Sequence, residues 1–167
     1  MIAERRRFHT IPSHTAPVRV RPESRHHSLM TETVLFVCQH GAAKSVIAAE
    51  YLTRLAQARG LDIRGESRGL EPDECVPAPV VEALAREGFD VGGYAPRPLG
   101  PEHLSAPQRV IALGCELGSA PGTSSPVEEW SDIPMVSDGY ATARDAIVAR
   151  VERLVDEIAA DIAEYDG

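Results

Sequence analysis

The sequence predicts an α/β protein built on a parallel β-sheet with helices on both faces. Three observations lead there. The stretch TVLFVC, residues 33–38, is a continuous β-rich apolar run, the mark of a strand buried on both sides. A helix-forming segment follows it directly. Strand-like and helix-like segments then keep alternating to the end of the chain, the pattern of parallel strands joined by helical crossovers.

Each element has its own signal. SVIAAEYLTRLAQARG, residues 45–60, sets Ile47, Tyr51 and Leu55 at helical spacing and closes on Gly60. LDIRGES, 61–67, fits a second strand. PAPVVEALAREG, 77–88, reads as a second amphipathic helix, with prolines at its start and Gly88 at its end. QRVIALGC, 108–115, is another buried strand. ATARDAIVARVERLVDEIAADI, 141–162, is a long helix whose apolar stripe is Ile147, Val151, Leu154, Val155 and Ile158. Residues 1–30 show neither period. They hold six arginines, four of the six histidines and Pro12, Pro17 and Pro22, and read as a disordered basic extension, or as an upstream start with Met30 the true beginning. Residues 31–167 form the expected single domain.

Composition limits the partners. The extension balances six arginines against Glu4 and Glu23, a charge of +4 that leaves −12 on the remainder of a chain whose formal charge is −8. So acidic a body repels a phosphate backbone, and no nucleic acid is expected. No apolar run approaches the roughly 18 residues of a membrane helix, and no export signal opens the chain; the expectation is a soluble cytoplasmic protein without a membrane partner. Cys38, Cys75 and Cys115 are odd in number and widely spaced, so reduced thiols are expected, and no zinc-type spacing completes a metal site.

The chemistry gathers at CQHGAAKS, residues 38–45, beyond the carboxyl end of the first strand, where open α/β sheets bind ligands. Small residues Gly41, Ala42 and Ala43 let the chain curl so that successive N–H groups, those of Gln39 and His40 included, converge on one anion. The following helix adds its N-terminal partial charge and Lys44 a full one. Ser45 is placed either to cap the helix or to hydrogen-bond Cys38. Such a field favours a thiolate, a nucleophile facing a bound tetrahedral oxyanion. The plain alternative is a small buried cysteine that ends a strand. A nucleotide P-loop is excluded, because Ala43 precedes Lys44 where that motif has glycine.

VLFVCQHGAAKSVIAAEYL is similar to the phosphate loop and first helix of the low-molecular-weight protein tyrosine phosphatase superfamily, whose loop is CX5R followed by Ser. That superfamily includes the cysteine-based arsenate reductases, and the CxHxAx(R/K)S pattern is closer to their mycothiol- or thioredoxin-dependent branch. The resemblance continues through ESRGLEP, VPAPVVEALAREGFDV, RVIALGCE, Trp130, DIP and ARDAIVARV, over nearly all of residues 33–158. It implies a three-layer fold on a four-stranded parallel sheet with the phosphate loop after the first strand. It also implies attack by Cys38 on phosphorus or arsenic, with Gln39, His40, Gly41, Ala42, Ala43 and Lys44 plus Ser45 holding the oxyanion.

Three departures bear on function. Lys44 stands where the family has arginine, and replaces a two-pronged planar fork by a point charge; it is also the only lysine in the chain. The family's Asp-Pro general acid falls near Met135 and Val136, which leaves Asp132 as the first substitute and Asp138 as the second. Of a cysteine relay only Cys115 has a family counterpart, since Ser119 and Ala120 occupy the next candidate positions. Gly41 replaces an asparagine of many relatives that holds a left-handed turn, a geometry glycine adopts freely. Trp130 and Tyr140 are candidates to wall an aromatic-substrate pocket or simply to pack. The expected activity is a cysteine-dependent phosphatase acting on a phosphorylated protein or small aryl phosphate, without cofactor. The alternatives are an arsenate reductase that draws on an external thiol donor, and an inactive oxyanion-binding relative.

Overall fold

The computed structural model describes residues 32–105, 109–117 and 126–167; the basic extension and positions Ser119 and Ala120 lie outside them. Strands β1 (Glu32–Cys38), β2 (Ile63–Gly69), β3 (Arg109–Leu113) and β4 (Val127–Trp130) form one parallel sheet in the order β2-β1-β3-β4. Helices α1 (Lys44–Ala58), α2 (Ala78–Arg86), α3 (Pro101–Ser105) and α4 (Tyr140–Tyr165) accompany them, with a 3-10 turn at Val136–Asp138. β1 is interior, and Val34, Leu35, Phe36 and Val37 are all buried, as its unbroken apolar run requires.

The pleat splits β1 between two cores. Val34, Phe36 and Cys38 join Ile111, Leu113 and Trp130 in the larger one, which α1, α2 and α4 cover with Ile47, Leu52, Val80, Leu84 and the whole expected α4 stripe. Leu35 and Val37 join Val110 and Leu104 of α3 in a smaller one. Parallel neighbours need crossovers, and α1 supplies the one from β1 to β2. It packs so closely that a Cβ on Gly65 would lie 2.6 Å from the Ala49 backbone. β4 carries the sequence VEEW with both glutamates exposed. Such a short edge strand has no apolar run to announce it.

A polar clamp joins the helices. Glu87, just past α2, accepts hydrogen bonds from Tyr51 of α1 at 2.8 Å and from Tyr140 and Arg144 of α4. Arg54 donates to the Glu87 carbonyl at 2.7 Å and lies 3.3 Å over the Phe89 ring. Burial pushes the Glu87 carboxyl up, but the three donors together outweigh it and hold the pKa below the usual 4.5. A depressed carboxylate stabilises the fold above its unfolded value and loses that contribution as pH falls through the folded one. Glu87→Gln is therefore expected to cost on the order of 2 kcal/mol at pH 7. The gap to wild type should close progressively below about pH 4.5, as urea denaturation at several pH values will show.

Candidate active site

Cys38 ends β1 and is 6% exposed. The loop after it is seated on the segment after β2, because β1 and β2 are in register with Cys38 opposite Gly69. Leu70, Glu71 and Asp73 donate their N–H groups to the carbonyls of Cys38, Gln39 and His40 at 3.2, 2.8 and 3.1 Å. The Ser67 hydroxyl, whose proton goes to Ser45, lies 3.4 Å from the Gly41 carbonyl. With its carbonyls turned toward this seat, the loop keeps its N–H side for an anion. Gly41 has φ of +60°, and a Cβ there would lie 2.7 Å from Gly69 N; a Cβ on Gly69 would lie equally close to Gly41 N. Both positions need glycine for that approach.

The two roles open to Ser45 are separated by the geometry. α1 has no side-chain cap, and Ser45, fully buried on its first turn, has its Oγ 3.0 Å from Cys38 Sγ. Ser67 of β2 donates to Ser45 Oγ at 2.7 Å. When the thiol is ionised, the hydroxyls point in one direction: Ser67 to Ser45, Ser45 to sulfur. Ser67 was not singled out by the sequence; its only signal was a place in ESRGLEP.

Lys44, 9% exposed, donates through Nζ to the Ile133 carbonyl at 3.1 Å, and Gly114 makes room for it, since a Cβ there would lie 2.8 Å from Nζ. The lysine thus joins the oxyanion loop to the loop after β4. Gln39 and His40 turn their side chains outward, to Glu71 at 3.1 Å and Asp73 at 3.3 Å. Asp132 is exposed and its carboxylate pairs with Arg150, whose hydrogen bond is the first cause holding it below the usual carboxylate range. Acting as a proton donor would require it to leave that partner. Asp138 lies in the 3-10 turn and does not cap α4.

The aromatic candidates take structural posts instead of walling a pocket. Trp130, 1% exposed, packs 5.9 Å from Phe36 and donates to Glu128, while the Tyr140 hydroxyl is spent on Glu87. All three cysteines are free, with Cys75 exposed and Cys115 half-buried 3.5 Å from the Val37 carbonyl. Burial, then the charge at Cys38, pushes the Cys115 thiol up to about 11. Among the described residues no cluster of His, Cys, Asp and Glu is set to hold a metal, and no helix is long and apolar enough to cross a membrane.

Two outcomes of alkylation follow. Iodoacetamide at pH 7 is expected to modify Cys38 and Cys75 and to spare Cys115, which peptide mass spectrometry will read out. Ser45→Ala, which removes the hydroxyl 3.0 Å from the Cys38 sulfur, is expected to slow alkylation of Cys38 about tenfold.

Comparison with known proteins identifies the fold and the family. A thioredoxin-dependent arsenate reductase of Corynebacterium glutamicum superposes with a TM-score of 0.68 at 26% identity, over 81% of this chain; the chain spans 65% of that protein's length. An arsenate reductase of Archaeoglobus fulgidus gives 0.56 at 27% identity, covering 74% of this chain and 98% of the other. The YwlE arginine phosphatase of Geobacillus stearothermophilus, at 20% identity, shares the fold with a TM-score of 0.66 over 80% of this chain and 96% of its own. Residues 33–120 match the sequence family of the low molecular weight phosphotyrosine protein phosphatases, and the chain belongs to that family.

Proposed function

We propose that the protein is a cysteine-dependent phosphatase acting on phosphate monoesters of aryl type. The observation that carries this reading is the Ser67–Ser45–Cys38 hydroxyl chain at the base of an amide-lined loop. The Cys38 thiolate attacks phosphorus, an S–P bond forms, and the P–O ester bond breaks as the electron pair leaves with the aryl oxygen. Water then attacks phosphorus, releasing inorganic phosphate and the thiolate. Loop amides and the Lys44 charge stabilise the extra negative charge on the equatorial oxygens. With Asp132 paired to Arg150, the first candidate acid is engaged elsewhere, so esters of acidic phenols are the favoured substrates.

A second reading is favoured by the same ion pair and by the two relatives named as arsenate reductases. Arsenate would condense with Cys38 with loss of water. An external thiol such as mycothiol or thioredoxin would then attack the Cys38 sulfur, the S–As electron pair passing to arsenic so that arsenite leaves and a mixed disulfide forms, which a second thiol reduces to restore Cys38. That route needs no acid for an aryl leaving group and no resolving cysteine in this chain.

Hydrolysis of para-nitrophenyl phosphate at mildly acid pH tests the first reading. Wild type is expected to turn over, Cys38→Ser to be inactive, and Lys44→Met to lose about 10²-fold in kcat/KM. Asp132→Asn is expected to stay within about twofold; a loss of 10²-fold or more would make Asp132 the general acid after all. Wild type inert toward the ester but reducing arsenate with an added thiol would replace the first reading by the second, and inertness toward both would leave an oxyanion binder.

A further inference from the structure

A cleft of about 390 Å³, within the size range of small-molecule sites, lies along the outer edge of β2. Val46, Ala49 and Glu50 of α1 form one wall; Arg64, Glu66 and Arg68 of β2 with Tyr94 and Arg97 form the other. It stands apart from the thiol: the Ser67 hydroxyl faces Ser45, whereas the Ser67 carbonyl accepts hydrogen bonds from two cleft residues, Arg68 Nη1 at 2.8 Å and the Tyr94 hydroxyl at 3.1 Å.

The charges in this cleft are incompletely matched. Glu66 serves both Arg64, at 2.9 Å, and Arg68 Nη2, at 3.5 Å. Arg68 is itself 9% exposed, and its Nε is a buried donor with no acceptor among the described residues. Such a donor pays for desolvation with no bond in return, which is uncommon enough to call for a partner. Arg97 has its carbonyl fixed by Gly69 N–H at 2.9 Å, and its guanidinium has no ion pair among the described residues. The one other acid, Glu50, is half-buried, and burial disfavours its charge. In a body that is strongly acidic overall, this is a local surplus of fork-shaped cations around a concave site with a small apolar wall.

We propose that the cleft is a second oxyanion site, which takes the phosphate or carboxylate head of a small metabolite between Arg68 Nε and the Arg97 guanidinium. Amide NMR spectra of the full chain, titrated separately with inorganic phosphate and with succinate, test it. The signals of Glu66, Ser67, Arg68, Tyr94 and Arg97 are expected to move saturably with at least one of the two anions. In Arg97→Ala, an exposed position where folding is not at risk, that response should weaken about tenfold, as loss of a charge-assisted contact implies. Phosphate is also expected to move the signals of residues 39–45 in both proteins, an internal control for the catalytic loop. A response to phosphate alone assigns a phosphate head, to succinate alone a carboxylate head, and to both an unselective oxyanion site. No movement of the cleft signals with either anion, or movement undiminished in both Arg97→Ala and Arg68→Gln, overturns the proposal.

Discussion

The contact between Gly41 and Gly69 is the constraint on which the site rests. Two backbones meet there at a distance that admits no side chain on either. The parallel register of β1 and β2 brings them level, and the left-handed turn at Gly41 bends the loop over. Its carbonyls then fall within reach of the amides of Leu70, Glu71 and Asp73. Because the C=O and N–H of a trans peptide point opposite ways, fixing the carbonyls of Cys38, Gln39 and His40 on one side turns the N–H groups of Gln39, His40 and Gly41 to the other. The proposed anion site is thus a consequence of sheet register more than of any single side chain, and Cys38, the proposed nucleophile, is the last residue of the strand that sets that register.

Lys44 gives the family's basic position a different mechanical role. An ammonium has three donors, and here one is given to the Ile133 carbonyl, 89 residues away, in the loop that leads from β4 toward α4. The loss of a bidentate grip on two oxygens is accompanied by a fixed link between the nucleophile's loop and the opposite wall of the site. Gly114 makes this possible by leaving open the space a Cβ would fill.

Legibility in the sequence follows periodicity. β1, β3 and α4 are written as apolar runs or stripes because each is buried on faces that repeat every two or three to four residues. β4 and α3 are too short to show a period, and the two exposed glutamates of VEEW hide the strand further. Within the site, Cys38, Gly41 and Ser45 stood out as one local cluster, with the role of Ser45 left between a cap and a bond to Cys38. What lay hidden were partners joined by tertiary folding: Ser67 behind Ser45, Ile133 on Lys44, Arg150 on Asp132. Trp130 could be read as a pocket wall, though a Trp before a buried loop more often packs, and the contact with Phe36 accords with packing.

The position of Lys44 also gives the chain an unusual chemical economy. Because every other basic side chain is arginine or histidine, the sole ε-amine of the protein is a buried atom inside the oxyanion site. Acetylation or acylation by an amine-directed reagent has no surface lysine to act on. Wherever such a reaction does reach a lysine, it removes the charge that donates to the Ile133 carbonyl, so that a modification elsewhere spread over a protein's surface here falls on one buried position in the proposed oxyanion loop.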